Sequence, residues 1–140
     1  MSIRKSEMLV REVMLSPERF PVVGQRTLLK EALEEMSRMR IGIACIVGQD
    51  HKLLGILTDG DIRRMLLKVQ KPFSAFFADD ALEHAVTSPL RVSAEDTLLQ
   101  AVRLMDQKRV WDLPVVGEDG RLLGLLHLHP AVEALLNGDE

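Results

Sequence analysis

The chain has 140 residues, a formal net charge of −3, 46% hydrophobic residues and 28% charged residues, a composition that excludes disordered and collagen-like classes. No apolar run approaches the ~20 residues of a membrane span, and Met1–Val10 lacks the apolar stretch of a signal peptide, so a cytoplasmic location is expected. The mildly acidic charge and the lack of a block of basic residues argue against binding of nucleic acid.

The first predicted structural unit covers residues 8–70 and follows the order β-α-β-β-α. Apolar periodicity and turn residues indicate its elements, which are an extended segment at Phe20–Val23, a helix with apolar residues from Leu29 to Met36, the strands Ile43–Val47 and Lys52–Leu57, and a helix over Asp59–Lys68. The single cysteine, Cys45, lies inside an apolar strand, and we expect it to act as a small buried hydrophobic residue without a catalytic or redox role.

The second unit covers residues 82–138, after a predicted linker at 71–81, and repeats the same order of elements. The stretch Leu29–Leu57 aligns without a gap on Leu98–Leu126 at a shift of 69 residues. The corresponding elements are an extended segment at Leu90–Val92, a helix from Leu98 to Met105, the strands Leu113–Val116 and Arg121–Leu126, and a helix over His129–Leu136. The chain therefore contains two copies of one unit.

A hydroxyl and two carboxyl groups follow the second strand of the predicted hairpin in the first unit. This strand delivers Thr58, Asp59 and Asp61 to the start of a helix, where unpaired N–H groups and the positive end of the helix dipole favour an anion. A carboxylate at this place can also accept hydrogen bonds from the two hydroxyls of a ribose. The alternative is that Thr58 or Asp59 only caps the helix, since T-x-x-D is also a capping pattern.

This repeat resembles the cystathionine β-synthase (CBS) domain, which has the same order of elements and carries the nucleotide-binding signature G-h-h-T/S-x-x-D at the same junction. The resemblance covers nearly the whole chain. It implies an α/β (α+β) fold in which two β-α-β-β-α repeats form a pseudo-two-fold CBS pair with two ligand clefts. It also implies further association of the pair into a homodimer.

The resemblance implies which residues line the first cleft. The signature residues Thr58 and Asp61 would hold phosphate and ribose, with Asp59 between them, and the backbone of the segment Phe20-Pro21-Val22 would contact the base. Trp111 and Asp112 would enter from the second repeat. Asp112 would repel a phosphate by about 1 kcal/mol or more at close range. Trp111 is expected either to stack on the ligand or to pack in the core.

The second cleft departs from the signature, because His127 stands in place of the threonine and Pro130 in place of the aspartate. We expect it to bind a ligand weakly. Its predicted lining residues are His127, His129, Arg91, Val92, Gly42 and Ile43. We predict no metal site here, because two histidines without a nearby cysteine or glutamate cluster do not complete a coordination shell.

A narrower resemblance is carried by the T-D-G-D-I-R-R motif at Thr58–Arg64 together with the L-H-L-H motif at Leu126–His129. Both are similar to the C-terminal CBS pair of arabinose 5-phosphate isomerases, which supply the Kdo pathway of lipopolysaccharide synthesis. The isomerase domain of that family precedes the CBS pair and is missing from this sequence. The chain is therefore either a free-standing relative or an excised regulatory tail.

These resemblances imply a regulatory module that carries out no chemistry, has no resident cofactor and modulates a sugar-phosphate isomerase or a similar partner. Its ligand is expected to be a nucleotide, either AMP or ATP, or a cytidine nucleotide sugar such as CMP-Kdo. One alternative is a structural dimerisation module with no ligand. A second is an enzyme fragment, although the sequence shows no nucleophile with a base, no paired-carboxylate site and no phosphate loop.

Overall fold

The computed structural model describes residues 4–138, and the elements of both repeats follow the predicted order. The strands are β1 (Val22–Gly24), β2 (Ile43–Val47), β3 (Leu53–Thr58), β4 (Val92–Ser93), β5 (Asp112–Val116) and β6 (Leu122–His127). The α-helices are α1 (Leu29–Met39), α2 (Asp59–Lys68), α3 (Phe73–Phe77), α4 (Leu98–Lys108) and α5 (Leu128–Asn137). Within residues 4–138, no helix is both long enough and apolar enough to cross a membrane.

Each repeat contains one three-stranded mixed sheet, with strand order β1-β2-β3 in the first and β4-β5-β6 in the second. The first strand is parallel to the second, and the second and third form an antiparallel hairpin. The predicted α/β class with two β-α-β-β-α repeats is therefore confirmed. The first strand begins later than predicted, because Pro21 precedes it and has no N–H, although its carbonyl accepts a hydrogen bond from the Cys45 amide at 2.9 Å.

The apolar positions predicted for the first repeat are the ones that are buried in the structure. In the first repeat, Leu29, Ala32 and Met36 recur on one face of α1 and are buried. The strand β2 is buried along almost its whole length, including Cys45, which has no exposed surface. The predicted linker at 71–81 contains α3, whose Phe76 is 2% exposed and packs in the core of the first repeat.

The chain divides by its contacts into two units, residues 17–89 and residues 1–16 with 90–140. The reason is that the segment before the first strand of each repeat pairs with the hairpin of the other repeat. Val86 forms a bridge with Ile56, and Leu15 forms one with Leu125. These contact units differ from the sequence bounds 8–70 and 82–138, which describe the repeats and stay a prediction.

Two equivalent glycines permit these bridges. A Cβ atom at Gly55 would lie 2.9 Å from the carbonyl oxygen of Val86, and one at Gly124 would lie 2.6 Å from the carbonyl oxygen of Leu15. No side chain is tolerated where two backbones approach this closely. The glycine of the G-h-h-T/S-x-x-D signature therefore has a packing role in both repeats.

Candidate functional site

Thr58 and Asp61 form a reciprocal capping box at the start of α2. Asp61 Oδ2 accepts hydrogen bonds from the Thr58 amide at 3.0 Å and from Thr58 Oγ1 at 2.9 Å, while the Asp61 amide donates to Thr58 Oγ1 at 3.2 Å. Arg64 Nη2 donates to Asp61 Oδ1 at 2.8 Å. The capping role considered from the sequence is therefore confirmed. The same bonds hold the hydroxyl and the carboxylate in one fixed arrangement at the helix N-terminus.

Asp59 lies apart from this capping box. Its amide donates to the carbonyl of Gly42 at 3.1 Å, and its carboxylate lies so close to Gly42 that a Cβ atom there would be 2.6 Å from Asp59 Oδ2. Both residues line a groove of 480 Å³ at the C-terminal end of α1. Ile43, the next residue, is completely buried in β2. Gly42 and Asp59, which were assigned to different clefts, are therefore neighbours.

The segment predicted to contact the base is mostly buried. Phe20 is 1% exposed, Pro21 is buried, and Val22 is half-buried at the start of β1. Because β1 pairs only with β2 in its sheet, the outer edge of β1 presents backbone groups to its surroundings. The side chains of this segment therefore pack in the core, and its backbone groups are the part that a ligand could contact.

Asp112 and His127 lie directly opposite each other in the β5–β6 hairpin, with Asp112 Oδ1 at 2.6 Å from His127 Nδ1. Burial raises the pKa of the Asp112 carboxyl, while the hydrogen bond from His127 acts in the opposite direction. The sequence assigned these residues to different clefts, but the structure pairs them. The register of the hairpin could have revealed this, because it pairs the first residue of β5 with the last of β6.

Trp111 is 70% exposed, so of its two alternatives the one in which it packs in the core is wrong. It lines a groove of 810 Å³ together with residues from α4 and α5. His129 is also exposed, on α5, where its Nε2 lies 3.4 Å from a carboxylate oxygen of Glu133. His127 and His129 therefore have separate partners. Arg91 is exposed and Val92 buried, and both line a smaller groove in the second repeat.

One group of the described residues has the geometry of a metal site, although the sequence predicted none. The ligand atoms of Asp79, Glu83 and His84 lie within 4.8 Å of one another. Asp79 Oδ2, however, already contacts both Lys71 Nζ and His84 Nε2 at 2.8 Å. These bonds lower the pKa of Asp79, the one from Lys71 most strongly. A lysine ammonium on the same oxygen competes with a cation, so the group is an ion-pair network.

Comparisons with known proteins identify the family to which the chain is similar. The sequence model of the CBS domain matches residues 10–68 and 81–135. An uncharacterised protein of Helicobacter pylori is 32% identical over 121 residues, which cover 86% of this chain and 35% of that protein. An arabinose 5-phosphate isomerase of Pseudomonas aeruginosa is 32% identical over 131 residues, which cover 94% of this chain and 39% of the isomerase. The chain thus spans little more than a third of these relatives.

Among solved structures, CBSX2 in complex with AMP superimposes with a TM-score of 0.80 and 27% sequence identity. The match covers 92% of this chain and 96% of CBSX2. Each of the two sheets with its flanking helices thus has the fold of a CBS domain in a solved structure. This chain belongs to the CBS domain family, as a tandem pair of CBS domains.

Proposed function

We propose that this CBS pair binds a nucleotide and thereby regulates a partner enzyme without carrying out chemistry itself. The observation that carries the proposal is the Thr58–Asp61 arrangement, in which a hydroxyl and a carboxylate are held together at the N-terminus of α2. Similarity to CBSX2, which was solved with AMP, supports an adenine nucleotide such as AMP or ATP as the ligand.

The chemistry of the first repeat suits a ribose phosphate. The Asp61 side chain keeps 13% of its surface exposed, so its carboxylate can accept a further bond from a ribose hydroxyl. The Arg64 guanidinium beside it is 55% exposed and supplies positive charge for a phosphate. The outer edge of β1 adds backbone donors and acceptors for the base. Each part of a nucleotide therefore has a matching group in the first repeat.

The second repeat is a poorer nucleotide site. His127 replaces the capping threonine and is held by Asp112, and Pro130 provides no carboxylate for a ribose. We therefore propose that binding is centred on Thr58 and Asp61. The assignment of His127, His129, Arg91, Val92, Gly42 and Ile43 to a weak second cleft, and of Asp112 to the first, remains part of this proposal.

The proposed partner is a sugar-phosphate isomerase domain, and the proposed assembly is a homodimer. The choice of partner rests on the similarity to an arabinose 5-phosphate isomerase, which aligns with 94% of the chain, and the homodimer rests on the membership of the CBS family. If the partner is of this kind, a cytidine nucleotide sugar such as CMP-Kdo is the rival ligand. Coupling of about 1–3 kcal/mol between ligand and partner would suffice for regulation.

The test is a melting-temperature screen with AMP, ATP, CMP and CMP-Kdo. A ligand at one hundred times its Kd stabilises the folded state by about 2.7 kcal/mol, which such a screen detects easily. Stabilisation by any of the four supports a nucleotide-binding module and identifies the preferred base. Failure of all four favours the alternative of a structural dimerisation module, for which the partly buried, acidic Asp112 is the supporting observation.

A further inference from the structure

The smaller groove of the second repeat has polar walls. It lies between one side of α4 and the edge strand β4, and its volume is 410 Å³. Small-molecule sites usually enclose about 300–1,000 Å³, so this groove has room for a small ligand. The side chains that give the groove its polar character are Arg91, Asp96, Gln100, Arg103 and Gln107.

The two arginines of the groove are free to bind an anion. The side chains of Arg91 and Arg103 are exposed, and neither forms a hydrogen bond or an ion pair with another residue of the range 4–138. A guanidinium is always charged and presents several N–H donors in a fork that matches the oxygens of a phosphate. Two such groups on one groove favour a phosphorylated ligand.

The other polar side chains of the groove keep free donors and acceptors. Gln100 Oε1 accepts from the Thr97 amide at 3.4 Å, which leaves the NH₂ group of Gln100 available. Asp96 Oδ2 accepts from the Ser93 amide at 2.9 Å, which leaves its other oxygen available. The side chain of Gln107 has no partner among the described residues. Amides and a carboxylate together can satisfy hydroxyl groups, which both donate and accept.

The groove has no surface for a nucleotide base. None of the described residues that line it is aromatic, so a base would find no ring on which to stack. His127 and His129, at the degenerate signature of this repeat, do not line it either. The chemistry of the groove therefore fits a ligand that has a phosphate and hydroxyl groups but no base.

The first repeat has different chemistry at the equivalent positions, 69 residues earlier in the chain. The residues there are Val22, Glu31 and Glu34, in place of Arg91, Gln100 and Arg103. Arg38 on the same helix is already paired with Glu35, through a contact of 2.6 Å. Two carboxylates at this place would repel a phosphate. Substitutions that copy the first repeat are therefore a direct test of anion binding in the second.

We propose that this groove of the second repeat binds a small phosphorylated polyol, such as a pentose phosphate. The guanidinium groups of Arg91 and Arg103 bind the phosphate, and the side chains of Asp96, Gln100 and Gln107 bind the hydroxyls. The inference goes beyond the proposed function, because it adds a second ligand of another class. All lining residues belong to the second repeat, so the groove is separate from the nucleotide site proposed at the start of α2.

The test is isothermal titration calorimetry with ribose 5-phosphate, inorganic phosphate and ribose. The wild type should bind ribose 5-phosphate at least about ten-fold more tightly than either fragment, because only the whole molecule reaches both the arginines and the amides. Arg91→Val and Arg103→Glu copy the first repeat, and each should weaken this binding by about ten-fold or more. The charge-matched control is Arg121→Glu, at an arginine that is 53% exposed in the β5–β6 turn, and it should leave the affinity unchanged.

The contribution of the hydroxyl groups is tested separately at Gln107. Gln107→Ala should weaken binding of ribose 5-phosphate and leave binding of inorganic phosphate unchanged, since the amide is assigned to the hydroxyls. A wild type that does not bind ribose 5-phosphate would overturn the proposal. Inorganic phosphate that binds as tightly as ribose 5-phosphate, or arginine variants that bind like the wild type, would overturn it as well.

Ribose 5-phosphate is also a part of every ribonucleotide, so the two sites must be separated. The variant Thr58→Val with Asp61→Ala should keep its affinity for ribose 5-phosphate, and a loss there would overturn the proposal. Arg103→Glu should keep the melting shift with a nucleotide, which also shows that this variant is folded. If no nucleotide shifts the melting temperature while ribose 5-phosphate still binds through Arg103, the proposed function fails and the polyol site stands.

Discussion

Asp112 and His127 face each other across the β5–β6 hairpin at 2.6 Å, in the place where the first repeat pairs Ile43 with Thr58. An ionised carboxylate can only accept, so Nδ1–H of the imidazole donates to it. The pair thus partly offsets the cost of placing a carboxylate with only 12% side-chain exposure inside the second repeat. The second repeat has replaced a capping threonine with an internal polar contact.

Because Asp112 and His127 are in contact, the effects of substituting them on the free energy of unfolding should not be additive. His127→Ala should lower the free energy of unfolding by about 1–3 kcal/mol, because it leaves a largely buried carboxylate without its donor. The double variant Asp112→Ile with His127→Thr copies the first repeat and should recover most of that loss. Urea unfolding of both variants and of Asp112→Ile alone measures the coupling. Additive effects would show that the contact contributes nothing.

The raised pKa of Asp112 predicts how stability depends on pH. Because the pKa in the folded state lies above the ordinary 3.8, the folded chain keeps a proton that the unfolded chain has already lost. The contribution of Asp112 to stability is therefore fully present below 3.8 and is lost as the pH rises through the raised pKa. Asp112→Asn should remove this decline. Unfolding curves of the wild type and of Asp112→Asn, measured below and above pH 3.8, check this prediction. Parallel profiles of stability against pH for the two proteins would contradict it.

Removal of the Thr58–Asp61 arrangement should abolish stabilisation by a nucleotide. The variant Thr58→Val with Asp61→Ala loses both the hydroxyl and the carboxylate proposed to contact the ligand. The matched control is Thr97→Val with Gln100→Ala, which removes the capping box of α4 in the second repeat. Each change should lower stability by a similar amount, on the order of 1 kcal/mol. Only the first should eliminate the melting shift, and an equal loss in both would reject the site.

The two close-packed glycines predict a strong effect of a single methyl group. Gly55→Ala and Gly124→Ala should each destabilise by about 1–3 kcal/mol, because the added atom would overlap a backbone carbonyl that cannot move alone. The control is Gly24→Ala, where the nearest atom is a side-chain oxygen 3.9 Å away. Thermal unfolding compares the three. A loss of stability in Gly24→Ala as large as that in Gly55→Ala would contradict the packing role of the glycines at the bridges.

Local patterns in the sequence were sufficient for the repeat, the fold class and most element bounds. The apolar spacing from Leu29 to Met36 and the alternation in β3 depend only on which face of a helix or strand is buried, and such periods are visible in a single chain. The predicted helix over Asp59–Lys68 agrees with α2 at both ends, because Thr58 caps it and the apolar pattern ends near Lys68. Burial of Cys45 follows from the same local pattern.

The tertiary structure alone decided which distant residues meet. The bridges of Val86 with Ile56 and of Leu15 with Leu125, and the exposure of Trp111, depend on how segments that are not neighbours in the chain pack together. No periodic pattern encodes such a contact, because it is set by how whole elements pack and by the register of the strands. The spacing of residues close in the chain therefore determined the helices and strands. The packing of these elements determined which residues meet and which side chains are exposed.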